Sequence, residues 1–116
     1  MMYIDFTAGG NDYKLRLSTR SIVALEKVLG CNPIMVFGTD GETIPTMTTM
    51  VQILHASLQK FHHNITLEKA YEIFDDYLDD GHQMINFISV IMDIYKVSGI
   101  INADSTGEAE VEERKN

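Results

Sequence analysis

"HQMINFISVIMDIYKVS", His82 to Ser98, is the stretch on which the fold turns. At about 100° per residue, its apolar side chains from Val97 and Val90 round to Ile85 sweep about 240° of a helix, whereas a helix resting on a core needs about 100°. A helix over roughly residues 82–98 therefore either runs through the centre of a bundle or keeps an apolar strip for another chain. Ile91 and Tyr95 sit at the centre of the arc. Ile85, Val90, Met92 and Val97 lie towards its margins and are the candidate partner or self-association surface. Asn86, Asp93 and Lys96 interrupt the segment, which falls short of the ~18 consecutive apolar residues of a membrane span.

Reading back from that helix, the spacing predicts three more. Thr66 can cap a helix whose inward stripe is Leu67, Ala70, Tyr71, Phe74 and Leu78, ending at Gly81. Met47, Met50, Val51, Leu54, Leu58 and Phe61 recur at three- and four-residue spacing and mark a helix from after Pro45 to about Phe61. Ser18 or Thr19 can cap a helix from Arg20 to Leu29, with Ile22, Leu25 and Leu29 on one side and Gly30 closing it. "NPIMVFG" reads as a short helical turn, with Asn32 as cap and Pro33 in first position, whose apolar residues plug the core. At the N-terminus Ile4 and Phe6 alternate with Asp5 and Thr7, and Tyr13, Leu15 and Leu17 with Lys14 and Arg16, around "GGND". That is a β-hairpin with one buried face. The expected fold is mainly α with an N-terminal β-hairpin (α+β), a small bundle of about four helices over residues 1–101. Residues 102–116 are expected to form an acidic disordered tail.

A chain of 116 residues with an apolar share of 45% can close one core without a metal or disulfides. Seventeen acids against nine bases give a net charge of −8, which repels phosphate backbones and anionic headgroups, so neither nucleic acid nor a membrane is the expected partner. A single cysteine, Cys31, and an N-terminus without a basic, then apolar, leader point to the cytoplasm. The densest charge is "FDDYLDDGH", Phe74 to His82. Aligned as a calcium loop with Gly81 at the sixth position, it places Leu78 and Phe87 where ligands are required, so that reading fails. On a helix, Glu72, Asp75, Asp76, Asp79 and Asp80 fall opposite Tyr71, Phe74 and Leu78 and form an acidic face for water or a basic partner. A metal held by Asp79, Asp80 and His82, His62 or His63 lacks diagnostic spacing. No phosphate-binding, zinc-protease or nucleophile-elbow motif occurs, and nothing singles out Cys31 as reactive. The expectation is a protein without catalytic residues, metal or cofactor. Its seven methionines, several on apolar stripes, suit core filling or adaptable binding.

Two stretches carry a resemblance, "YKLRLSTRSIVALEKVLGCNP" (Tyr13 to Pro33) and "LHASLQKFHHNITLEKAYEIFDDYLDDG" (Leu54 to Gly81). They resemble the tail assembly chaperones of long-tailed bacteriophages and prophages of Gram-positive bacteria, and the likeness covers most of the folded part. It brings no functional residue with it. It implies a non-enzymatic protein that coats the tape-measure protein, keeps that long helical chain soluble and helps tail-tube protein polymerise around it. The implied setting is the host cytoplasm, with the chaperone absent from the mature virion; the surplus apolar residues of the final helix lead to the separate expectation of a homo-oligomer. Many members of that family gain a second domain by programmed frameshifting. Here Arg114, Lys115 and Asn116, if encoded AGA AAA AAC, would supply the slippery heptamer A AAA AAC. The alternative class is a structural component of the virion, a head–tail connector or tail-completion protein.

Overall fold

A computed structural model describes residues 2–102. Its elements are β1 (Ile4–Ala8), β2 (Asn11–Leu15), α1 (Thr19–Leu29), a 3-10 turn at Pro33–Phe37, α2 (Met47–Leu58), α3 (Leu67–Asp79), a second 3-10 turn at Met84–Asn86 and α4 (Phe87–Val97). The molecule is mainly α with an N-terminal β-hairpin, as the periodicities indicate. The expected tail lies, apart from Asn102, outside the described residues.

The strands pair antiparallel, Ile4 with Leu15, Phe6 with Tyr13 and Ala8 with Asn11. Phe6, Ala8 and Leu15 are buried, while Asp5, Thr7 and Lys14 face water. Gly9 and Gly10 alone make the turn, with φ of 60° and 79°. Both central positions of a two-residue hairpin loop need that left-handed backbone, so Asn11 and Asp12, expected in the loop, join β2 instead. Two strands alone are marginal, and β2 is tied along its outer edge. Arg16 N–H donates to Ser57 O at 2.9 Å, Leu17 N–H to Ser98 Oγ at 2.9 Å and Lys14 N–H to His62 Nε2 at 3.0 Å.

The last of these bonds is sensitive to acid. Nε2 accepts only while the imidazole is neutral, and burial, then the nearby Lys14 and His63, hold the His62 pKa below its ordinary 6.5. The fold therefore favours the neutral ring. The stabilisation is complete above pH 6.5 and disappears as pH falls through the lowered folded value. Urea unfolding should show the native chain losing more stability than His62→Gln between pH 7.5 and pH 5. His55, also lowered chiefly by burial, shifts both proteins alike and cancels.

The helix ends follow from their caps. Ser18 Oγ accepts from Ser21 N–H at 3.1 Å, and Gly30, at φ 74°, closes α1 by donating to Glu26 O. Thr66 Oγ1 accepts from Lys69 N–H at 3.1 Å and opens α3. α2 stops at Leu58 rather than near Phe61. The Gln59 amide donates both to His55 O at 3.1 Å and to Ile65 O at 2.8 Å, closing the helix and pinning the following loop. α4 begins at Phe87, not at His82. His82 stacks on Tyr77 of α3 with ring centroids 4.3 Å apart, and Gln83 N–H donates to Asn86 Oδ1 at 2.6 Å. These contacts hold the segment in an extended step and a 3-10 turn before the helix proper can start.

The core also decides which helix is central. α2 buries Met50, Val51, Ile53, Leu54 and Leu58 and packs on α1, α3, α4 and β2. Phe6, Phe74, Tyr77 and Phe87 form an aromatic cluster joining hairpin, α3 and α4, with Phe6–Tyr77 and Phe74–Phe87 centroids 5.1 and 4.9 Å apart. α4 is a flanking element. Along it Phe87, Ile91, Ile94 and Tyr95 are buried, and Ile88, Val90, Met92 and Val97 at the sides of the arc are half-buried.

Candidate functional site

α4 buries Phe87, Ile91, Ile94 and Tyr95 completely. Tyr95 carries its hydroxyl into the core and donates to Pro33 O at 2.8 Å, and burial pushes its phenol well above the ordinary value. To one side of this buried face the helical spacing sets Ile88 and Met92, whereas Ile85 lies outside the helix, in the preceding 3-10 turn. Ile88 and Met92 are half-buried, and Ile85 is 50% exposed. Val90 and Val97 occupy the other flank. Both are half-buried, and Val90 packs against the core. Of the four candidates, Met92 thus lies on one side of the helix and Val90 and Val97 on the other, with Ile85 ahead of it.

The Met92 side has company. Ile34 and Met35 of the first 3-10 turn, 41% and 40% exposed, face it across a groove of about 590 Å³ floored by Phe37 and Tyr95. Only part of "NPIMVFG" plugs the core, since Pro33 is buried and Val36 and Phe37 half-buried. Four consecutive apolar residues in a helix of about three residues per turn cannot all face inward. That run was the available signal for Ile34 and Met35, which periodicity alone overlooks.

The acidic residues separate as well. Glu72, Asp75 and Asp79 are exposed, and Lys69 Nζ approaches Glu72 Oε1 at 3.5 Å. Asp80 is no idle surface charge, because its Oδ2 accepts the Gly9 N–H at 2.9 Å and ties the hairpin turn to the end of α3. Asp76, half-buried, packs beside that turn, where a Cβ on Gly9 would come within 2.8 Å of Asp76 Oδ2. Gly9 thus meets two demands, a left-handed backbone and room for a carboxylate. Among the described residues no three His, Cys, Asp or Glu side chains come together as metal ligands.

A second apolar groove, of about 530 Å³, lies between α1 and α2. Ala24, Leu25 and Val28 of α1, Ala56 of α2 and Leu67 of α3 line it. The inward stripe of α1, Ile22–Leu25–Leu29, gives no hint of it. Val28, which lies off that stripe and stands 58% exposed, is its trace in the sequence. No helix among the described residues is long and apolar enough to cross a membrane.

A family of unknown function (DUF6096) matches the chain over residues 5–112. No curated protein and no solved structure matches it.

Proposed function

The chain belongs to the DUF6096 family, and we propose that it is a phage tail assembly chaperone, binding the tape-measure protein, keeping it soluble and promoting assembly of tail-tube protein around it. The observation that carries this reading is the uncovered apolar groove between α4 and the first 3-10 turn. Ile34 and Met35 stand about two-fifths exposed, beside half-buried Ile88 and Met92. A folded domain gains nothing by leaving such side chains wet, and grooves rimmed by isoleucine and methionine accept varied apolar faces, as a holdase for a long amphipathic helix requires. The net charge of −8 keeps the loaded complex dispersed. The resemblance of Tyr13–Pro33 and Leu54–Gly81 to tail assembly chaperones supplies the client's identity.

On this reading the protein works in the host bacterial cytoplasm and leaves before the particle is finished. Mass spectrometry of purified particles from a producing host should find tape-measure and tube proteins without this chain. Its recovery at a fixed copy number per particle would transfer the assignment to a head–tail connector or tail-completion protein.

A further inference from the structure

Away from α4, α1 and α3 carry surfaces that fit one another. On α1, Arg20 and Lys27 are exposed and seven residues apart, a rise of about 10.5 Å on one helix face. Between them lie Val23 and Ala24, with Val28 beyond, along the α1–α2 groove and its outer wall. On α3, Glu68, Glu72, Asp75 and Asp79 follow spacings of four, three and four and make one exposed stripe. Glu68 and Asp75 are again seven apart, as are Glu72 and Asp79. Tyr71, expected on the inward stripe of α3 but 40% exposed, stands between Glu68 and Asp75 as Val23 and Ala24 stand between the two bases. The ion pair that forms among the described residues is Lys69–Glu72, so Arg20, Lys27, Glu68, Asp75 and Asp79 have no ion-pair counterpart among them.

We propose that α3 of one copy docks on the α1–α2 groove of a second copy, with Tyr71 against Val23, Ala24 and Val28 and Glu68 and Asp75, seven residues apart on either side of it, facing Arg20 and Lys27. The match is one of period as well as sign. Equal rise between charges lets both pairs form in one register, and the acids crowded on α3 lose part of their mutual repulsion when the bases arrive. α1 and α3 pack on α2, so neither must move to meet a partner. The contact joins unlike surfaces and is heterologous. It uses none of the residues of the α4 groove and stands whether or not the client assignment does.

Two charge reversals test it in the full chain, Arg20→Glu with Lys27→Glu, and Glu68→Lys with Asp75→Lys. All four positions are exposed, and far-UV circular dichroism reports that each variant keeps its helices; Arg20→Gln with Lys27→Gln and Tyr71→Ala provide milder versions. In sedimentation velocity at about 100 µM the native chain should associate, each reversed variant alone should be monomeric, and an equimolar mixture of the two should pair. Tyr71→Ala and the glutamine pair should weaken association by about tenfold. A native chain that stays monomeric, reversed variants that associate as the native chain does, or folded variants that fail to pair when mixed would each overturn the contact.

Discussion

Tyr95→Asp, and likewise Ile91→Asp, should leave a chain with no cooperative unfolding transition. Both side chains are fully buried, and an unpaired carboxylate there costs several kcal/mol. In the tyrosine variant the loss of the aromatic side chain adds about 3–5 kcal/mol, and Pro33 O is left without the donor that reaches it at 2.8 Å. The sum is comparable to the whole stability of an ordinary domain, about 5–15 kcal/mol. Tyr95→Phe isolates the polar part. It keeps the ring against Phe37, whose centroid is 6.2 Å away, and should cost about 1–2 kcal/mol through the orphaned carbonyl. Urea denaturation followed by circular dichroism measures all three variants, and a sharp transition of near-native midpoint in Tyr95→Asp would place the residue outside the core.

The second large effect is on binding and should leave the fold intact. Ile34→Asp combined with Met92→Asp places charges on both walls of the α4 groove, at an exposed and a half-buried position. Neither residue belongs to the buried core cluster, so the unfolding midpoint should move little. An apolar client face meeting two carboxylates must desolvate them or fail to close, and affinity should fall by about a hundredfold. Val97→Asp on the opposite flank is the internal control. Pull-down of the client by the purified variants checks the pair. Equal loss from Val97→Asp would move the surface to the other side of α4, and Val90→Asp is unsuited as a control because Val90 packs on the core.

Much of the fold is written in local pattern. Alternation around Phe6 and Tyr13 marks the hairpin, and Ser18, Asn32 and Thr66 cap where their hydroxyl or amide oxygen can reach an unpaired N–H. The start of α4 escapes such reading because a long-range stack, His82 on Tyr77, fixes it. Asp80 belongs to the same class. In sequence it ends a run of charges, and only the arrival of Gly9, 71 residues earlier, gives its carboxylate a donor. The breadth of α4's apolar arc shows that something is left over but not which flank, since that depends on where the 3-10 turn of Ile34 and Met35 comes to rest. The α1–α2 groove is less legible still. A helix with two exposed valines declares surplus apolar surface, and whether a neighbour covers it is settled by the disposition of whole helices.

The proposal that the groove beside α4 holds a long helical client in solution is tested most directly by co-expressing the chain with a tape-measure protein and measuring that protein's soluble fraction. The client should move from the pellet to the supernatant with the native chain, and return to the pellet with Ile34→Asp combined with Met92→Asp. A client equally insoluble with and without the native chain would contradict the account.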